Sequence, residues 1–392
     1  MLSRFNIDNK LLELTTFSIT TRQELHQIPE LSGEEYKTSA YCQNIMNGCG
    51  YSITTYEGYT GFIANLIVDE SFKMVAFRAD MDALEMDDLT DNEHASKHAG
   101  RAHNCGHDVH MATLLTAAKY LSAYQDELKH NVRFIFQMAE EDMRVDGANK
   151  MVEFGCMNGV NEVYALHNDA ALECGFVSIN NGIMSSYGSA WTLDIEGKSA
   201  HGSTPHKGLD AIREGARIIE DMDYIVAKQT NPFSPAVFVC GMFNGGTVPN
   251  AVAANVQARG TIRSMDSETD EVLRGSFESI VAQSKLRGFN TTMTYCGYPA
   301  IINHPEAYQR IVEAAGDAVP ADMMNVNGSP MTGSEDFSYM VNATEDKRGA
   351  FFFLGSGNKE KGICNYLHSN PYYVDEHAPL VGAQIFINIA TR

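Results

Sequence analysis

Residues 191–195 read Trp191-Thr192-Leu193-Asp194-Ile195, an apolar–polar alternation of the kind a strand with one buried face requires. The next hundred residues extend this strand into a recognisable unit. Ile212, Ala216, Ile219 and Val226 recur near the helical period. Val237 to Cys240 reads as a strand, and Asn255 to Ile262 alternates again. Leu273, Phe277, Ile280 and Val281 mark a second helix, and Thr291 to Tyr295 closes with a strand. The order β-α-β-β-α-β is the ferredoxin-like unit, here about 110 residues long. It is predicted to occupy 184–297 as an insertion into a larger domain formed by 1–183 and 298–392.

Outward from that insertion the pattern is different. A helix carrying Leu11, Leu12, Phe17 and Leu25 stops before Pro29, and another spans about Glu34 to Met46. Strand-like runs come next at Phe62 to Val68 and Phe72 to Phe77, then a helix from near His110. The strand Val132 to Phe136 leads to a helix at Ala148 to Glu153, with short strands after it at Val163 to Leu166 and Phe176 to Ile179. Beyond the insertion, Phe351 to Leu354 is a strand and a last helix starts near Leu380. Strands alternating with helices predict an α/β sheet covered on both faces.

The chain has 392 residues, 44% hydrophobic and 20% charged, which excludes disordered, collagenous and disulfide-scaffold classes. Twenty-nine basic against fifty acidic residues leave a net charge of −21, which repels phosphate backbones and argues against a nucleic-acid partner. No apolar run reaches the roughly 18–20 residues that cross a bilayer, so no membrane partner is expected. The stretch Met1 to Lys10 does not read as a secretory signal. The eight cysteines are scattered with no Cys-x-x-Cys pair, so reduced thiols and a cytoplasmic location are expected.

Chemistry concentrates in His103-Asn104-Cys105-Gly106-His107-Asp108-Val109-His110, where three imidazoles, a thiol and a carboxylate fall within eight residues. The cluster comes after the acidic loop Arg78-Ala79-Asp80-Met81-Asp82 and precedes a predicted helix, for which Asp108 is a candidate N-cap. Loops at the carboxyl ends of strands build active sites in open α/β sheets. Cys105 and His107 are donors suited to zinc-like ions, and Gly106 lets both side chains point one way. Glu140, Glu141 and Asp142 lie just beyond the strand Val132 to Phe136. Adjacent residues on an extended segment diverge, so one carboxylate can bind metal while its neighbour acts as a base. His167 and His368 are further candidate ligands from other strand ends. For each element a plainer reading exists: a surface or satisfied histidine, or a solvated acidic turn.

Taken together and in order, these elements resemble the dinuclear metallohydrolases of the aminoacylase and carboxypeptidase family. The likeness is nearest to the branch with hippurate hydrolases, N-acyl-amino-acid amidohydrolases and auxin-conjugate hydrolases. It runs from Leu25-His26-Gln27-Ile28-Pro29-Glu30-Leu31-Ser32 through Arg78 to Leu84, the Cys105 cluster, Ala139-Glu140-Glu141 and His167. It continues through Gly197 to His201, Gly245-Gly246-Thr247 with Asn250, Gly260 to Arg263, Glu335-Asp336-Phe337 and Leu367-His368-Ser369. The resemblance implies a zinc-peptidase-like catalytic domain with a mixed sheet, and a ferredoxin-like lid that commonly dimerises. It implies two divalent ions per chain, zinc or manganese first and cobalt or nickel next. The ligands would be Cys105, His107, Glu141, His167 and His368, with Cys105 bridging. Glu140 would be the general base, His201 would polarise the scissile carbonyl, and Asn250 and Arg263 would contact the substrate.

The expected reaction is hydrolysis of the amide bond of an N-acyl amino acid or similar small conjugate. A dipeptidase or aminopeptidase on the same site, a non-catalytic metal-dependent binder and a structural zinc protein are the alternatives. Glu85, Met138, the run Asp142 to Asp146, and Asn168-Asp169 depart from the family pattern. None is a proposed ligand, so they bear on substrate choice.

Overall fold

The computed structural model describes residues 2–392. They form two compact units: one runs up to Met184 and takes in Ile301–Pro330 and Asp336–Arg392, and the other is Ser185–Ala300 with Met331–Glu335. The first unit opens with α1 (Asn9–Leu12), α2 (Thr15–His26) and α3 (Tyr36–Gly48). The single N-terminal helix expected from the periodicity is thus broken at Glu13-Leu14, where the Thr15 hydroxyl donates back to the Leu12 carbonyl at 2.6 Å. Then come β1 (Ser52–Thr55), β2 (Phe62–Leu66), β3 (Met74–Asp80), α4 (His107–Ala123), β4 (Asn131–Gln137), α5 (Gly147–Glu153), β5 (Val160–Glu173) and β6 (Val177–Ser178).

The second unit holds β7 (Tyr187–Glu196), β8 (Ala200–His201), α6 (Ala211–Lys228), β9 (Ala236–Gly245), β10 (Ala251–Val252), β11 (Asn255–Ser264), α7 (Ser267–Leu286) and β12 (Asn290–Tyr298). Its four-stranded sheet has the order β12-β7-β11-β9, with every neighbour antiparallel. This is the ferredoxin-like arrangement with two helices, and the alternation at Trp191, Leu193 and Ile195 is its buried face. Trp191 stacks on Phe238 with centroids 5.2 Å apart and meets Phe277 edge-on at 5.4 Å. Gly260 makes room for this: a Cβ there would lie 1.8 Å from the Val239 carbonyl oxygen and 2.5 Å from the indole. Met331–Glu335, which the sequence places with the larger domain, joins this unit through a Ser185–Met331 bridge and a Ser186 amide to Gly333 carbonyl bond of 3.0 Å.

The first unit resumes with α8 (Pro305–Ala318), β13 (Met324–Asn325), α9 (Phe337–Ala343), β14 (Gly349–Gly357) and α10 (Ala378–Thr391). Its eight strands are ordered β1-β2-β4-β3-β5-β14-β6-β13. The central β4-β3-β5-β14 run is parallel, while β1, β2 and the β14–β6 pair are antiparallel. The sheet is therefore mixed, as expected for this class. Parallel strands buried on both faces read as continuous apolar runs, and β4 is buried at every position. α4 packs against α2, α10 and the sheet, and fourteen of its seventeen residues are buried, which is why its sequence shows no polar face.

Candidate metal centre

Three chain segments near the carboxyl ends of neighbouring parallel strands meet at one place. β3 ends at Asp80, β4 runs into Ala139-Glu140-Glu141, and α4 begins at His107. His167 lies inside β5, not at a strand end as expected. Pairing of β5 with β3 stops at Ala165 while pairing with β14 continues past His167, so on the β3 side the imidazole is past the sheet.

Gly106 adopts φ +88, and a Cβ there would sit 2.1 Å from the Asn168 side chain. Both facts require glycine. Its turn starts α4 at His107, earlier than the periodicity indicates, and Gly106 itself occupies the N-cap position. Asp108 is therefore not the cap. Its Oδ2 meets His26 Nδ1 at 2.7 Å and accepts from Arg22 Nη1 at 3.3 Å.

His107 is fully buried. Its Nδ1 donates to the Asp82 carbonyl at 2.8 Å, which leaves Nε2 without a hydrogen-bond partner among the described residues. That Nε2 lies 3.8 Å from Glu141 Oε1 and 3.9 Å from Glu140 Oε2. His167 Nδ1 is likewise occupied by the Asn168 carbonyl at 2.8 Å, and its Nε2 is 3.4 Å from Cys105 Sγ. His368 has φ +61, its amide donates to the Asn104 carbonyl at 2.9 Å, and its Nε2 is 3.4 Å from Glu141 Oε1. Donor atoms of Cys105, His107 and His167 lie within 4.8 Å of one another, as do those of Cys105, Glu141 and His368, and those of His107, Glu140 and Glu141. Cys105 belongs to two of these groups, a position from which a thiolate can serve two ions.

The electrostatics fit a cation. Burial would lower the His107 pKa, but the charges of Asp80, Asp82 and Glu141 push it up to about 10. Burial, aided by Glu141, Glu140 and Asp80, holds the Cys105 thiol well above its ordinary value. A field that retains protons on a ligand set is one in which a divalent ion displaces them. His167 is held neutral by burial and by His110, so its Nε2 lone pair is available. An orphaned imidazole nitrogen among carboxylates and a thiol is the donor set of a zinc-like ion.

His110 and His103 complete the sequence cluster but differ in kind. His110 has both nitrogens occupied, by Asp80 Oδ1 at 2.6 Å and the Asn168 amide at 3.0 Å, and so supports the site from behind. His103 is buried, and burial lowers its pKa to about 4. Residues of the acidic loop, to which the sequence assigns no role of their own, turn out to hold the others. Asp82 Oδ2 accepts from the Glu141 amide at 3.0 Å and from Ser32 Oγ at 2.6 Å. Fully buried Arg78 bridges Asp80 Oδ2 (2.7 Å), Gln137 Oε1 (2.7 Å) and Asp336 Oδ1 (3.0 Å). The period-2 spacing of Arg78, Asp80 and Asp82 was the signal for this.

The model of "Peptidase family M20/M25/M40" matches residues 76–392. The chain belongs to that family. An N-acetyl-L-cysteine deacetylase from Bacillus subtilis is 33% identical, covering 95% of this chain and 87% of its own. Thermostable carboxypeptidase 1 from Saccharolobus solfataricus is 32% identical over 98% of both chains. Among solved structures, a dinuclear metal-binding M20 peptidase from Bacillus subtilis superposes with a TM-score of 0.78 at 27% identity, over 97% of this chain and 98% of that one.

The remaining M20 candidates lie on the second unit. His201 pairs with Ala251, and the Gly202 amide donates to the Asn250 carbonyl at 2.8 Å, so His201 and Asn250 share one exposed ribbon. His201 Nδ1 contacts Ser203 Oγ at 2.7 Å. Arg263 is near the far end of β11, about 25 Å along the strand from Asn255 at 3.3 Å per residue. It is half-buried, and its Nη1 donates to Ser334 Oγ at 2.9 Å.

Proposed function

We propose that this M20 hydrolase cleaves the amide bond of N-acyl amino acids or closely related small conjugates. The observation that carries the reading is the gathering of Cys105, His107, Glu141, His167 and His368, five candidate ligands, beside the second carboxylate Glu140. Relatives named for N-acyl-amino-acid and N-acetyl-cysteine substrates support the substrate class. Two divalent ions, when bound, supply Lewis acidity and an acidified water. Zinc is favoured by the thiol and imidazole donors; manganese, cobalt and nickel are the competitors to test.

The chain's own residues do the rest. Cys105, His107, Glu141, His167 and His368 form the ligand set. Glu140 takes a proton from the attacking water and returns it to the leaving amine. His201 donates to the developing oxyanion, and Asn250, on the same ribbon, or Arg263, near the far end of β11, binds the substrate's polar groups. The second unit serves as lid and as the contact surface of a homodimer. β9 is a free edge of its sheet and exposes Val237, Val239, Met242 and Phe243. Among the described residues no disulfide joins any of the eight cysteines, which suits a cytoplasmic enzyme, and no helix is long and apolar enough to cross a membrane.

The test is a hydrolysis screen on metal-stripped protein reloaded with each ion. N-acetyl and N-benzoyl amino acids are compared with free dipeptides, with metal stoichiometry measured in parallel. Turnover of acylated substrates at two ions per chain is expected. Cleavage of dipeptides alone would replace this reading with a dipeptidase, and one tightly held ion without turnover would replace it with a structural site.

A further inference from the structure

The turn that presents Glu140 and Glu141 is conformationally unusual. Ala139, the residue immediately before the glutamates, has φ +50. A non-glycine residue occupies this left-handed region only when its surroundings hold it there. Gly147 accommodates the turn, since a Cβ at that position would lie 1.9 Å from the Met138 carbonyl oxygen. What grips the turn is Glu35. This carboxylate is fully buried, and its Oε1 accepts from the Ala139 amide at 2.8 Å and from the Gly33 amide at 2.8 Å. Its Oε2 accepts from the Thr60 hydroxyl.

Glu35 occupies the N-cap position of α3, yet its side chain makes no cap bond to that helix. Glu30 does that work instead, accepting from the Lys37 and Thr38 amides at 2.8 and 2.9 Å. The Glu35 side chain is therefore committed to a segment 104 residues away. Two residues further on, Asp82 grips the Glu141 amide at 3.0 Å. The pair of glutamates is thus clamped at both ends by buried carboxylates.

We propose that Glu35 is a positioning residue for catalysis: by holding the Ala139 amide it keeps the turn left-handed and aims Glu140 at the scissile bond. This rests on the hydrolase reading and adds a residue that neither binds metal nor touches substrate. The interaction needs an acceptor at Oε1, not a charge, so glutamine can substitute and a shorter or absent side chain cannot.

The experiment compares Glu35→Ala, Glu35→Asp and Glu35→Gln, each with and without Ala139→Gly. Misaiming a catalytic group by about 1 Å costs on the order of a hundredfold, so kcat in Glu35→Ala and Glu35→Asp should fall by about that factor. KM and the two-ion stoichiometry should stay near parent values, and Glu35→Gln should restore most of kcat. Glycine populates positive φ freely, so Ala139→Gly should recover about tenfold of the Glu35→Ala loss. In metal-free protein, Glu35→Ala should also speed hydrogen exchange of the Ala139 and Glu141 amides. Parent-like kcat in Glu35→Ala or Glu35→Asp, no recovery with Ala139→Gly, or loss of metal from these variants would each overturn the proposal. If Glu35→Ala does not fold, Glu35→Asp and Glu35→Gln carry the same comparison. A parent protein inert towards every acyl amino acid would sink the hydrolase reading instead, while amide exchange would still report whether Glu35 holds the turn.

Discussion

The two units place most of their candidate site residues differently. In the first, His107, Cys105 and His167 are buried, and each of these two candidate-ligand imidazoles has its second nitrogen fixed by a backbone carbonyl. Behind them lies another tier of charge, with Arg78, Asp80, Asp82 and Asp336 all fully or nearly fully buried. In the second unit His201 and Asn250 sit on an exposed two-stranded ribbon, and the His201 ring hydrogen-bonds its neighbour Ser203. A candidate ligand set must hold its geometry before anything arrives, and three of its five members are built into the core and supported from behind, while Glu141 is half-buried and His368 is exposed. A group that acts on substrate can stay solvated until binding orders it.

This contrast can be broken by mutation. The largest expected effect is on the first unit's base. Glu140→Gln should lower kcat by about 10³–10⁴-fold while two ions still bind, since general base catalysis is typically worth up to that factor; turnover at the parent rate would remove Glu140 from the mechanism. Next comes the buried support. Asp336 accepts from Arg78 Nη2 at 3.0 Å, Gln137 Nε2 at 2.8 Å and the Ala148 amide at 3.1 Å. Asp336→Ala leaves these donors buried, and urea unfolding should show a loss of about 3–5 kcal/mol. Stability within about 0.5 kcal/mol of parent would mean the tier is not structural. Smallest in energy is the exposed ribbon. His201→Ala should cut kcat by about 10²-fold, as removal of one oxyanion donor does, with an unchanged unfolding midpoint. A lowered midpoint would show that the ribbon is structural after all, and the contrast between the units would fail.

Much of this was legible in the residues. The alternation at Trp191 to Ile195 and the helical spacing of Leu273, Phe277 and Ile280 are local properties, and they hold in β7 and α7. The start of α4 was misplaced because its first turn, His107 to His110, is buried functional polarity that hydropathy reads as loop. His167 looked like a strand end because the apolar run stops at Leu166, while β5 continues through polar residues that serve the site. Asp108 looked like a cap because caps and buried ion-pair acceptors use the same residue types.

Sequence alone determined which donor types the site has, their order along the chain and the two sheet-forming patterns, because periodicity and residue chemistry are local. Tertiary structure decided which partner each donor has. Glu35 grips Ala139 across 104 positions, and Arg78 meets Asp336 across 258. A side-chain hydrogen bond depends on two remote backbones bringing donor and acceptor within about 3 Å. No local pattern encodes that approach until the sheet has brought the strands together.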